Sequence, residues 1–135
     1  MSVPSGSLRR LGWVLCMLLA VPAAAQKAGE PLASGPWGGD GVLLLVGADR
    51  TSAEFNCAHG QTESRIFFAE DRQFQAAGWI VEEGGAGQEE RKPAVFTGHL
   101  RREVLTVRVR YGSDSKELGP FELRQGGNAR VSKCQ

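Results

Sequence analysis

The stretch E-V-L-T-V-R-V-R-Y, residues 103–111, decides the fold. Successive side chains of an extended chain point to opposite faces, so Leu105, Val107, Val109 and Tyr111 share one side while Thr106, Arg108 and Arg110 share the other. One face suits a core and the other suits water, as in an antiparallel strand packed on one side. The same alternation runs through residues 51–57, where Ala53, Phe55 and Cys57 oppose Ser52, Glu54 and Asn56. It returns where Phe121 and Leu123 oppose Glu122 and Arg124. Residues 42–46, V-L-L-L-V, are apolar on both faces and read as a strand covered on both sides. Weaker strands fit residues 64–69, 74–82, 94–100 and 129–134, with turn residues between them and no sustained helical period. A helix, if there is one, falls in residues 27–32. About eight short strands joined by turns such as Gly47-Ala48-Asp49, Glu70-Asp71-Arg72 and Arg101-Arg102 favour antiparallel neighbours. The fold class is therefore all-β: a small antiparallel up-and-down barrel, whose closure removes exposed edges, with a β-sandwich as the alternative.

Outward from this pattern, the chain begins with a different kind of segment. Arg9 and Arg10 precede an uncharged apolar run, residues 11–21, and then Pro22 and Ala23-Ala24-Ala25. Such a run is too short for a bilayer-spanning helix, which needs about 20 residues, and fits the apolar core of a secretory signal peptide. Small residues at Ala23 and Ala25 place cleavage after Ala25. The arginine pair lacks the remainder of a twin-arginine signal, and Cys16 lies in mid-run without the small residue that precedes a lipid-attachment cysteine. The organisation expected is residues 1–25 as signal peptide, 26–36 as a flexible lead-in, and 37–135 as a single barrel domain with no integral membrane segment after cleavage. The full chain has 16 basic and 15 acidic residues; without Arg9 and Arg10 the balance is 14 to 15, a formal charge of −1. That excludes the basic footprint of a nucleic-acid binder. Localisation is expected to be periplasmic or secreted.

Cleavage would leave two cysteines, Cys57 and Cys134, in a compartment where thiols are normally oxidised, so a disulfide between them is the first expectation. The competing arrangement is a structural zinc held by Cys57, His59, His99 and Cys134. Cys57-x-His59 is too closely spaced for usual zinc ligand pairs, and the other two residues are isolated. No metal site and no cofactor are expected.

The segments Trp37-Gly38-Gly39-Asp40, Phe55-Asn56-Cys57-Ala58-His59-Gly60, residues 74–79, Pro93 to Gly98, Leu105-Thr106-Val107 and Lys133-Cys134 together resemble an uncharacterised group of small exported bacterial proteins. The resemblance covers nearly all of the chain after residue 25; its most specific parts are F-x-C-A-H-G and a terminal K-C. It implies that the two cysteines and the all-β fold belong together, and it brings no activity. That group's pattern has histidines where this chain carries Gly41 and Glu83, so His59 is the one member of such a set present here. Gly35-x-Trp37 resembles the opening of lipocalin-like and avidin-like barrels.

Few residues here are suited to catalysis. His59 and His99 are the only groups whose ordinary pKa lies near neutrality. No nucleophile elbow, metalloprotease helix, phosphate loop or paired-carboxylate motif occurs, and Gly84-Gly85-Ala86-Gly87 lacks the lysine and helix of a phosphate loop. No catalytic residue is assigned. Trp37, Trp79, His59 and Tyr111 are the candidate contacts for a ligand or partner, the aromatics because rings at a barrel mouth stack on sugars or cover apolar molecules. Trp37, Trp79, Tyr111 and the charged, glycine-rich residues 82–92 are expected near one mouth. The function expected is an exported β-barrel binding module for a small molecule or a protein partner, without catalysis; the alternative is a metal-dependent or hydrolytic enzyme centred on His59. An eight-stranded barrel is only just wide enough to be filled by its own side chains, so an internal cavity is not implied by the strand count.

Overall fold

A computed structural model describes residues 29–85 and 89–134. The expected signal peptide and its expected cleavage site lie outside the described residues. Eight strands follow one another around a closed antiparallel barrel: β1 (Gly35–Gly39), β2 (Val42–Val46), β3 (Thr51–Phe55), β4 (Ala58–Thr62), β5 (Gln73–Glu82), β6 (Lys92–Arg101), β7 (Val104–Tyr111) and β8 (Lys116–Gln125). Every strand pairs with its sequence neighbours, and β1 closes on β8 through Trp37↔Gln125, Gly38↔Arg124 and Gly39↔Leu123. The predicted up-and-down barrel is the fold, and the sandwich is set aside. No helix among the described residues is long and apolar enough to cross a membrane.

Alternation supplies the interior. Val42, Leu44, Ala53, Phe55, Phe74, Ile80, Phe96, Leu105, Val107, Val109 and Leu123 all point inward and form one buried cluster. Their bulk needs compensating space, which inward glycines provide. A Cβ at Gly98 would stand 2.6 Å from the Phe74 ring, and one at Gly78 would stand 2.9 Å from the Phe96 ring. The interior is packed with the protein's own side chains, as expected of eight strands. The two faces of β2 differ from expectation: Leu44 is buried but Leu45 is 49 % exposed, because no described residue covers the barrel's outer wall there.

Several boundaries differ from the sequence reading. The strand expected over residues 51–57 stops at Phe55, and the chain turns at Asn56-Cys57, with Cys57 at φ 57°. His59 lies within β4. Residues 64–69 form part of the β4–β5 connection rather than a strand, and residues 129–134 run as a tail with a single parallel bridge, Asp40↔Arg130. Residues 29–32 are not helical. The flexible lead-in expected over residues 26–36 is, in its described part, a strap packed across one end of the barrel. Leu32 is 0 % exposed, its amide donates to the Ile66 carbonyl at 3.0 Å, and Phe68 N–H donates to the Glu30 carbonyl at 2.9 Å. Leu32, Ile66 and Phe68 thus seal this strap end.

The opposite end carries the β1–β2, β3–β4, β5–β6 and β7–β8 connections, and the C-terminal tail crosses three of them. Gly127 passes so close to β1 that any side chain at Gly38 would strike its carbonyl oxygen. Gly41 N–H then donates to the Arg130 carbonyl at 2.8 Å, and Cys57 N–H to the Ser132 carbonyl at 3.1 Å. The tail ends in the Cys57–Cys134 disulfide, with Cα atoms 4.7 Å apart.

Candidate functional site

The two barrel ends differ in how they use their charges. At the disulfide end three glutamates are paired with basic side chains. Glu82 accepts from Lys92 and Lys116, each at 3.2 Å, and these hydrogen bonds, Lys92 first, hold its carboxyl below the usual range. Tyr111 lies buried beneath; burial first, then Glu82, pushes its hydroxyl up to about 12. On the outer wall nearby, His59 Nδ1 lies 2.7 Å from Glu83 Oε2. Burial acts to raise the Glu83 carboxyl, but hydrogen bonds from His59 and Lys133 outweigh it and keep the group ionised below the usual range. An ionised carboxylate only accepts, so Nδ1 is the donor. Lys133, from the tail, also donates to Glu54 and to the Phe55 and Ala58 carbonyls. The group therefore acts as a staple that pins the tail to β3, β4 and the start of the β5–β6 connection.

Trp79 faces outward beside this staple. Its ring meets His59 edge-on with centroids 5.9 Å apart, and the Arg91 guanidinium lies 4.1 Å over it. Three of the four residues singled out, His59, Trp79 and Tyr111, gather at the disulfide end, though Tyr111 faces in and the other two face out. Trp37 is not with them. The disulfide removes both thiolates from the four-residue zinc set, and among the described residues no cluster of three or more His, Cys, Asp or Glu is arranged to hold a cation. Close to this region Glu83 touches His59, and Gly41 lies against the Asn56 side chain.

The strap end holds a cleft of about 480 Å³. Its apolar wall is Leu32, Trp37, Phe68 and Leu100, and its polar rim is Glu30, Arg72, Arg102, Glu103, Arg124 and Gln125. Trp37 is 4 % exposed and its indole Nε1 donates to the Ala33 carbonyl at 2.9 Å, which fixes the ring as part of the wall. Arg124 lies 3.9 Å from Glu103, both strongly exposed. Among the described residues Arg72 and Arg102 enter no ion pair. Apolar wall and cationic rim together make a surface suited to a small molecule with one greasy and one polar end.

No protein-family model matches the chain, and no curated protein or solved structure matches it.

Sequence reasoning found one wall residue of this cleft, Trp37, and missed the rest. Leu32 was assigned to a lead-in, and Arg72 and Arg102 to turns. One signal was available: the tip Arg102-Glu103 joins two strands without the glycine or asparagine that short hairpin turns favour.

Proposed function

We propose that this chain is an exported binding module of the cell envelope or medium, which takes a small amphipathic molecule into the cleft at the strap end. The observation that carries the reading is the cleft itself, a cavity-sized recess with an apolar wall and an arginine rim, beside a barrel interior already occupied by its own side chains. Export is supported by the basic, apolar and small-residue order of residues 9–25 and by the Cys57–Cys134 bridge, which suits an oxidising compartment.

The test uses Trp37 as the reporter. In a Trp79→Phe background, decanol and decanoate are titrated while Trp37 emission and thermal stability are followed. Saturable change in both signals is expected, and it should vanish in Ala33→Phe, where an exposed position on the cleft wall gains a ring that fills the recess. Absence of any saturable change, with the fold intact, would remove the small-molecule reading. Intact mass of the exported protein tests the remainder: a chain starting at Gln26 and lacking the two hydrogens of a dithiol is expected.

A further inference from the structure

We infer that the polar end of the cleft's ligand is an oxyanion, of which a carboxylate is the simplest case, held by Arg72 and Arg102 while its apolar body lies against the accessible wall residues Ala33 and Leu100. The inference rests on the cleft being the binding site and adds the charge of what it binds. Two independent observations carry it. First, the rim bears three guanidinium groups against two carboxylates, and its one ion pair, Arg124 with Glu103, leaves Arg72 and Arg102 without an acidic partner among the described residues. A planar guanidinium presents paired N–H donors that match a carboxylate or phosphate, so two uncommitted arginines over an apolar wall select for an anionic head.

Second, both arginines occupy a backbone conformation that disfavours them. Among the described residues, four non-glycine residues have positive φ: Cys57, Arg72, Arg102 and Ser115. Cys57 is committed to the disulfide, and Ser115, like Arg72 and Arg102, lies in a connection between strands, but at the opposite end of the barrel from the cleft. Arg72 and Arg102, each at φ 58°, both line the same cleft. Left-handed backbone is costly for any residue with a Cβ and free for glycine, and such strain concentrates where a side chain is needed at a binding site. The backbone around them has structural work that glycine could do as well: Arg72 N–H donates to the Ala69 carbonyl, and the Arg72 carbonyl accepts from Leu100 N–H. What glycine would lose is the guanidinium.

The experiment compares decanoate, decanol and decyltrimethylammonium on the full mature chain, with Arg72→Gly, Arg102→Gly and Ala33→Phe variants. Decanoate is expected to bind at least ~10-fold more tightly than decanol at low salt and the cation more weakly still, because two charge-assisted contacts separate the heads. The advantage should shrink as sodium chloride is added, since the rim is exposed and screened. Arg72→Gly and Arg102→Gly should each erase most of the advantage while leaving the Tm unchanged or higher. Equal binding of decanoate and decanol, lost in Ala33→Phe, would keep the cleft and overturn the anion. Glycine variants that lower the Tm and keep the decanoate preference would also overturn it, by making the arginines structural. Failure of all three probes to bind overturns the anion together with the cleft.

Discussion

Replacing Cys57 and Cys134 by serine together tests whether the tail is held by its contacts or by its covalent tie. The bridge spans a sequence separation of 77. In the chain-entropy model a loop of that length restrains the unfolded chain by about 4.5 kcal/mol, and measured bridges deliver about 2–4 kcal/mol. The tail's other attachments do not replace it. Gly41 and Arg130 amides, the Cys57 amide and the Ser132 amide to Asn56 Oδ1 contribute about 1 kcal/mol each, and the half-exposed Lys133 adds at most about 1 kcal/mol. Fixing the backbone of residues 127–134 costs about 1–2 kcal/mol per residue, so contacts alone lose to entropy. The double variant should therefore keep its barrel and release its tail. Unfolding entropy of about 0.2 kcal/mol/K for a domain of this size converts a loss of about 2–4 kcal/mol into a Tm lower by about 10–20 °C. Thermal melts read the first effect and amide hydrogen exchange the second. Amides of Gly41, Arg130 and Ser132 should lose protection while those of β7 keep it. A Tm within ~5 °C of the parent, with tail amides still protected, would refute the reasoning.

Gly98→Ala should lower stability by about 1–3 kcal/mol, because a Cβ there would lie 2.2 Å from the Thr106 carbonyl oxygen and 2.6 Å from Phe74. Phe74→Leu in the same chain should recover part of that loss in a double-mutant cycle, and strict additivity would count against the packing argument. Tyr111 is the chain's only tyrosine, so phenolate absorbance reports it alone; its midpoint should lie near 12 and fall toward 10 in Glu82→Gln. Because its folded pKa is raised, the stability it contributes is present below pH ~10 and lost as pH rises through the folded value. Glu83 has the opposite sign: its folded pKa lies below 4.5, so its contribution is complete above the usual carboxylate range and disappears as pH falls through the lowered value. Urea midpoints of Glu83→Gln and the parent should differ at pH 7 and converge toward pH 3, and a difference independent of pH would exclude the staple as an ionic tie.

The long strands were legible because their inward residues are large. β7 and β8 announce themselves through Leu105, Val107, Val109 and Leu123, whereas β4 presents only Ala58, Gly60 and Thr62 to the interior and shows no apolar period. Gly60 has to be small because a Cβ there would meet the Trp79 carbonyl and Ile80. β1 was hidden for the same reason, having one large side chain among glycines and a proline. The reverse error arose where alternation is real without a ladder. Ile66 and Phe68 are buried and Phe67 is 42 % exposed, as on a strand, yet they pack across the barrel end against the Leu32 strap. Two strands missed and two supplied in error left the count at eight, so the closed topology rests on the pairing in the structure rather than on that agreement. The cleft escaped notice because it joins residues 30–33, 68–72, 100–103 and 124–125, which only barrel closure brings together.

Closure also bears on where a ligand could act. With the interior filled, a ligand can act only at an end or on the outer wall, and the two termini divide the ends between them. Among the described residues, Glu54, Glu82 and Glu83 at the disulfide end are each bonded to lysine or histidine and help hold the tail and the adjoining strands. At the strap end the N-terminal segment seals the core with one apolar residue, Leu32, and leaves a recess beside itself. Here two arginines have no acidic partner among the described residues and stand on backbone that glycine would occupy at lower cost. Glycine at both positions would relieve that backbone cost, and the anionic ligand proposed above is what would give the two arginine side chains a use there.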